Sequence, residues 1–285
     1  MTGTTGGMIN MDCIEKTGHS TIQHGKFNNR IYLMKYDKRD QSDIISRLND
    51  IAGKNGYTKI IAKVPASAQP LFLMDGYTQE AYIPEFYNGI EGAFFMTKYF
   101  AIERSIIPED SVVKLLNLLC TPQKANCEVL PEQFSMGTTK LRHLESMAKL
   151  YQQVFKTYPF PITEPDYLEK TMEEGNVIYF GVWDKGKLVG LSSAEMDASN
   201  LNAEMTDFAV LPEYRGQKLA AFLLKQMEKT MNELQYKTLY TISRLDSPGI
   251  TKTFINGGYH FTGILKNNTN ISGQIESMNV FYKSI

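Results

Sequence analysis

Apolar and polar positions along this chain alternate with two different periods, and the order in which those periods occur gives its organisation. Helical spacing of Ile44, Ile45, Leu48, Ile51 and Ala52 predicts a helix capped within Asp40 to Ser42 and closed by Gly53. Apolar and aromatic runs predict strands over 30–36 (RIYLMKY) and 57–64, the second stopped by Pro65, which cannot donate to a ladder. A short helical segment ends at Gly76–Tyr77, and strands follow at Tyr82–Ile83 and over 93–100. Residues 1–25 show little periodicity and read as a frayed tail. Val112, Leu115, Leu116 and Leu119 predict a helix over 108–120. The breaker-rich stretch TPQKANCEVLPEQFSMG, residues 121–137, reads as a linker.

Beyond it lie a helix carrying Leu144, Met147, Ala148, Tyr151, Val154 and Phe155, a second helix opened by Pro165, and a hairpin of 176–183 with 187–196. A strand over 203–210 continues the meander into DFAVLPEYRGQKLAAFLLKQME, Asp207 to Glu228. There Phe208, Ala209 and Val210 end a strand that Pro212 terminates, and a polar turn follows. Leu219, Phe222, Leu223, Met227, Met231 and Leu234 then mark the buried face of a helix. Strand, tight turn and helix start gather unpaired backbone N–H groups at a positive helix end, a site suited to a pyrophosphate. Arg215 and Lys218 add mobile positive charge beside it.

The pattern then repeats what the first half shows. A strand over 236–243, Pro248, a short helix ending at Gly258–Tyr259, and strands over 261–265 and 277–283 match the run from 57 to 100. Phe72 precedes Tyr77 by the same interval as Phe254 precedes Tyr259, and FFMTKYF (94–100) echoes MNVFYKS (278–284). A period this long predicts two packed copies and not a solenoid. The first copy lacks a counterpart of Arg215 to Ala220, its strand running into the acidic YDKRDQSD. It is not expected to bind a nucleotide-like cofactor, and would complete the sheet or wall off a second pocket. The expected boundaries are a degenerate copy over 1–120, a linker over 121–137 and a complete domain over 138–285.

Composition narrows the partners. The 285 residues are 42% hydrophobic and 21% charged, enough for a sizeable core in one large domain or two ordinary ones. A net charge of −1 gives no attraction to nucleic acid or to anionic lipid. Cys13, Cys120 and Cys127 are scattered, and His19, His24, His143 and His260 show no ligand pairing, so no metal site is expected. The cysteine usage fits a reducing compartment, and neither a membrane-length apolar run nor a signal peptide is present. The protein is expected to be cytoplasmic; a homodimer is left open.

The Asp207–Glu228 stretch resembles the acyl-CoA loop of the GNAT N-acetyltransferases. Val210, Arg215 and Ala220 match that pattern, whereas Lys218 stands where the family usually has its first glycine. With the element order, the resemblance implies an α/β (α+β) fold: a tandem acetyltransferase-like chain of mixed, mainly antiparallel sheet flanked by helices. It implies acetyl-CoA as cosubstrate, held by Phe208, Ala209 and Val210 through main chain and by Arg215, Gly216, Gln217, Lys218, Leu219 and Ala220 at the loop and helix start. The strand would offer an N–H to the thioester oxygen, where charge develops as an amine attacks. Phe254 falls where many relatives carry a tyrosine acid, so Tyr240, Tyr259, solvent or no acid at all would serve the departing thiolate.

An amine acceptor must lose a proton before attack, and Glu204 and Asp207 are the candidate bases on the central strand. Three residues apart, they point to opposite faces of an ideal strand unless a bulge re-aims one. Over nearly the whole chain from residue 12, segments such as STIQHGKFNNRIYLMK, GYTQEAYIPEFYNG and AEMTDFAVLPEYRG resemble the β-lysine N6-acetyltransferases. That resemblance implies the distal amine of β-lysine as acceptor, supplied by a lysine 2,3-aminomutase, with the product a compatible solute. It calls for an acid near the 3-ammonium, for which Glu80, Glu195 and Asp207 are candidates. It also calls for donors to the carboxylate, for which Asn267, Asn268 and Arg244 are candidates. The alternatives are transfer to another small amine such as a polyamine or amino sugar, and a non-catalytic acyl-CoA-binding regulator. The retained carboxylates argue against the regulator, since a binder needs no base.

Overall fold

Two runs of elements follow one another in the same order. The structure is a computed structural model that describes residues 11–121 and 129–285. In the first run, β1 (Cys13–Thr17), β2 (Ser20–Gly25) and β3 (Arg30–Lys35) form an antiparallel meander. Helix α1 (Ile44–Asn55) crosses to β4 (Lys59–Pro65), parallel to β3, and the short α2 (Gln69–Met74) leads into β5 (Thr78–Tyr87) and β6 (Glu91–Tyr99). Helix α3 (Glu109–Leu119), strand β7 (Phe134–Thr138) and helices α4 (Leu144–Val154) and α5 (Pro165–Glu173) intervene. The second run is β8 (Val177–Asp184), β9 (Lys187–Asp197), β10 (Asn202–Val210), α6 (Leu219–Glu233), β11 (Thr238–Arg244), α7 (Pro248–Asn256), β12 (His260–Ile271) and β13 (Gln274–Ser284). The sheets are ordered β1-β2-β3-β4-β6-β5 and β12-β13-β11-β10-β9-β8-β7, the same neighbours with β7 added at one edge. In each, a single parallel pair, β3–β4 or β10–β11, sits among antiparallel ones.

The repetition extends to side-chain geometry. Phe72 and Tyr77 meet edge to face with centroids 5.1 Å apart, and Phe254 and Tyr259 do so at 5.0 Å. In both copies the tyrosine N–H donates to the phenylalanine carbonyl, at 3.1 and 3.0 Å. Each copy thus closes its short helix with the same buried aromatic pair.

Several expectations are corrected. Residues 1–10 of the supposed tail lie outside the described residues; from Cys13 it is two strands, β1 and β2, turning at Gly18–His19, so the duplication takes in the whole meander and not just the later half. Gly56, in the left-handed region at φ 60°, closes α1 in place of Gly53. Asp43 stands at the α1 N-cap, while Asp40 is buried and accepts from the His19 and Ser20 N–H groups and the Ser20 hydroxyl. Of the expected linker, 122–128 (with Cys127) lie outside the described residues, and Phe134 to Gly137 belong to β7, where Phe134 is buried.

The sheets are tied face to face by a shared core of Ile61, Ile83, Phe86 and Phe95 from the first copy with Tyr240, Leu265, Met278 and Val280 from the second. Beyond it, α1 and α2 cover the outer apolar cluster of the first sheet, and α4 to α7 pack into that of the second. Polar contacts reinforce the junction: Thr238 donates to the Glu85 carbonyl at 2.7 Å and Asn202 to that of Phe86 at 3.1 Å. At Gly263 on β12 a Cβ would stand 2.0 Å from the Glu80 carbonyl oxygen, so only glycine allows β5 and β12 to approach this closely.

Candidate active site

The strand that carries the expected chemistry is open along one edge. β10 pairs with β9 along its length, but with β11 only from Asn202 to Glu204. The main chain from Met205 to Val210 therefore faces a gap where a ladder partner would lie. An extended amide-bearing chain can enter such a gap and take the free N–H and C=O groups as an added strand does. Between Thr206 and Ala209 the register shifts, and Asp207 adopts φ 57°. This is the bulge that re-aims Asp207, and it brings Glu204 and Asp207 into the wall of one cavity.

At the far end of the gap, Pro212–Tyr214 form a single 3-10 turn, Gly216 sits at φ 82°, and Lys218 caps α6 in the left-handed conformation at φ 58°. Nothing lies within 4 Å of a Cβ built on Gly216, so its glycine is required by backbone conformation and not by space. Lys218 takes up the left-handed geometry that glycine adopts without cost, and the turn keeps its shape. The helix start is uncapped by any Lys218 side-chain bond, which leaves its first N–H groups directed at the loop.

The cavity has a volume of about 950 Å³ and runs from this loop, along β10, to the face of the first sheet. Phe208, Val210, Arg215, Gly216, Lys218, Leu219 and Ala220 line one arm. Ala209 is fully buried in the apolar core and, with Gln217, is absent from the lining. Phe254 is a correction: it is fully buried against Phe208, Tyr259 and Phe281 and does not reach the cavity, whereas Thr253 and Asn256 of the same helix do.

Three carboxyls meet in the other arm. Glu195 on β9 is the register partner of Glu204 on β10, so the two stand side by side, with Asp207 beyond the bulge. Removal from water raises all three. Glu195 is held well above the usual range by burial and by its two acidic neighbours. Glu204 is pushed up to about 7 by burial, against the opposing pull of Lys63, the Tyr240 hydroxyl and the Ile242 N–H. Asp207 accepts hydrogen bonds from Tyr158 and, at 2.6 Å, from Ser193, and these moderate its rise. A carboxyl near 7 is matched to taking a proton at neutral pH, while Asp207 is already engaged by two hydroxyls.

The remaining candidates divide. Glu195 and Asn268 line the cavity. Glu80 does not: its carboxylate is enclosed, pairs with Lys59 at 2.9 Å, and accepts from Thr97, Tyr99 and the Lys266 N–H, which makes it a tie between the copies. Asn267 is likewise occupied, donating to the carbonyls of Glu103, Arg104 and Ile106. Arg244 lines the cavity but forms a two-point ion pair with Glu276, with both contacts at 2.7 Å. Sequence reasoning missed Arg30, Tyr32 and Lys63, which the first copy places in the wall. Their signal was charge inside apolar strands, RIYLMK and KIIAKVP. Elsewhere, the β1–β2 register brings exposed Cys13 and Glu15 beside His24, a cluster the linear spacing concealed.

Comparison with known proteins agrees with this geometry. Residues 144–249 match the Acetyltransferase (GNAT) family. The chain is 39% identical over 274 residues to the beta-lysine N(6)-acetyltransferase of Methanococcus maripaludis, covering 96% of this chain and 99% of that protein. It is 32% identical to the enzyme of the same name from Methanosarcina mazei, over 85% and 97% of the two chains. It is 30% identical to the N-acetyltransferase YodP of Bacillus subtilis, over 93% and 96%.

Proposed function

Because this chain belongs to the acetyltransferase (GNAT) family, we propose that it moves the acetyl group of acetyl-CoA to the N6 amine of β-lysine, with Glu204 as the base. The observation that carries the reading is the placement of Glu204, raised to about 7, in a cavity that also holds the open edge of β10 and the start of α6. The pantetheine arm would lie along Phe208 to Val210 and the pyrophosphate on Gly216 to Ala220, with Arg215 adding charge. These residues fit the group: the edge is unpaired, the turn is left-handed at Gly216 and Lys218, and the helix end is positive.

The acceptor amine enters as an ammonium, with a pKa of about 10.4 for a lysine-like group. Glu204 takes one proton, directly or through a water. The nitrogen lone pair forms a bond to the thioester carbon, the oxygen gains charge beside the β10 N–H groups, and the C–S bond breaks to release the CoA thiolate, which takes up through solvent the second proton shed by the nitrogen. Raising the base from 4.5 to about 7 makes the first transfer easier by about 3 kcal/mol. The product carries one positive charge fewer than β-lysine and is a net-neutral zwitterion. That suits accumulation as a compatible solute in the cytoplasm.

The test is thiol release from acetyl-CoA across β-lysine, α-lysine, a polyamine and an aminoglycoside. Strong preference for β-lysine supports the reading. Preference for another amine retains the transferase and discards the substrate; CoA binding without turnover of any amine favours the regulator.

A further inference from the structure

The first copy faces the cavity with one side of β3. Arg30, Tyr32 and Met34, two residues apart along the strand, all line it. Arg30 is 3% exposed, yet its guanidinium is poorly satisfied. One terminal nitrogen donates to Thr269 Oγ1 at 3.4 Å, the other to Gln23 Oε1 at 3.5 Å, and Nε has no partner among the described residues. No carboxylate among the described residues forms an ion pair with it. Two other buried cations of this copy are better provided for: Lys59 has Glu80, and Arg104, although its Nε is also without a partner among the described residues, has the carbonyls of Asn28 and Asn29 and the Thr58 hydroxyl within 3.3 Å. The guanidinium lies over the Tyr32 ring, 5.3 Å from its centroid, but a ring face is a weak substitute for a carboxylate at a buried charge, so an anion entering the cavity would be favoured there. Burial brings Arg30 down only to about 10, so it is charged at neutral pH.

A second orphan lies next to it. Asn268, also 3% exposed and in the cavity wall, donates to the same Thr269 Oγ1 at 3.3 Å, and its Oδ1 has no partner among the described residues. Sharing one hydroxyl fixes the two side chains as neighbours: a donor fork beside an unused acceptor. Tyr32, two residues along β3 and under the Arg30 guanidinium, lines the same cavity as Glu204. The cavity is thus polarised, with carboxyls at the open edge of β10 and a guanidinium on β3.

We propose that Arg30 is the carboxylate anchor of the acceptor, and that Asn268 Oδ1 accepts from the ammonium two carbons away from that carboxylate. This rests on the reading of the acceptor as a diamino acid. The degenerate copy then supplies substrate selection: it seats the head of a β-amino acid so that the distal amine reaches Glu204. Amines without a carboxylate leave Arg30 buried and unpaired, and are rejected for that reason.

The experiment compares 3,6-diaminohexanoate (β-lysine), its primary amide and 1,4-diaminopentane, which is β-lysine without its carboxylate. For the unmodified enzyme, kcat/KM for the acid is expected to exceed that for the amide and the diamine by on the order of 100-fold. In Arg30→Gln that preference falls below tenfold, mainly through KM for the acid, with the KM for acetyl-CoA unchanged. Arg30→Lys, which keeps the charge but not the fork, recovers part of it. Equal use of acid and amide by the unmodified enzyme overturns the anchor without any variant, and so does an Arg30→Gln enzyme that keeps its preference. Absence of turnover with β-lysine, alongside turnover of another amine, overturns the substrate reading itself and removes the basis for the anchor.

Discussion

Glu204→Gln should slow the enzyme and stabilise it at the same time. The substitution keeps the shape of the side chain and an oxygen for the Tyr240 hydroxyl and the Ile242 N–H, but removes the proton acceptor. Loss of a general base costs about 10² to 10⁴ in kcat/KM. The stability effect has the opposite sign. The folded-state pKa of Glu204 is raised, from 4.5 to about 7, so the folded protein holds this proton more tightly than the unfolded chain. Its contribution to stability is therefore full below 4.5 and is lost as pH climbs to about 7. Above that window the ionised carboxyl costs about 3 kcal/mol, from about 1.36 kcal/mol per unit. Glutamine escapes the cost, so the variant should match the parent near pH 4.5 and melt a few degrees higher at pH 8.5. Thiol release as a function of pH supplies the kinetic half: parental kcat/KM rises through about 7 and levels off, and that limb disappears in the variant. A variant with more than a tenth of parental activity and an unchanged acid limb would refute Glu204 as base. One less stable than the parent at pH 8.5 would refute the burial argument.

Asp207→Asn should lose less than tenfold in kcat/KM, because Asp207 is already bound by Tyr158 and Ser193 and asparagine tolerates its φ of 57°; the comparison with Glu204→Gln under the same assay decides between the two carboxyls. Glu80→Ala leaves the enclosed Lys59 ammonium without its partner and should cost about 3–5 kcal/mol in denaturant unfolding. The KM for the amine in the folded fraction should be unmoved, which separates a structural tie from a substrate contact. Gly216→Ala places a Cβ in open space but at φ 82°, so about 1–2 kcal/mol of backbone strain should appear as a raised KM for acetyl-CoA, with the amine KM unchanged.

Local signals made most of this site legible, and long-range ones hid the rest. The helix-start loop could be read because Pro212, Arg215, Gly216 and the apolar period of α6 are contiguous. The duplication could be read because the Phe72–Tyr77 and Phe254–Tyr259 pairs sit at equal spacing before a strand in each copy. The first hairpin was lost because Cys13–Thr17 is mostly exposed and carries no clean alternation, so tertiary pairing and not pattern makes it a strand. Glu80 and Glu195 look alike in sequence, each an acid in a strand with a second acid nearby. Which one lines the cavity depends on whether Lys59 or open space lies opposite, and that is fixed by how the two sheets dock. Phe254 was assigned by position in a motif, but the residue that replaces a polar group there retreats into the core against Phe208 and Phe281.

The docking of the sheets also explains why a copy without a cofactor loop is retained as a full domain. Its β3–α1 connection carries Asp40, whose carboxylate takes the His19 and Ser20 N–H groups of the β1–β2 turn, so an internal anion ties this connection to the hairpin. Its sheet face serves the other copy. Tyr32 and Lys63 line the same cavity as Glu204, where burial raises the carboxyl above 4.5 and Lys63 limits how far it rises. The two influences oppose each other, and their balance near 7 is what a proton acceptor at neutral pH requires. A single copy with β10 exposed to solvent would have the same carboxylates, but as ordinary acids too weak as bases to take an ammonium proton. On the proposal that Glu204 is the base, its proton affinity is set from both copies: the residue belongs to one, and Lys63 of the other limits how far burial raises it.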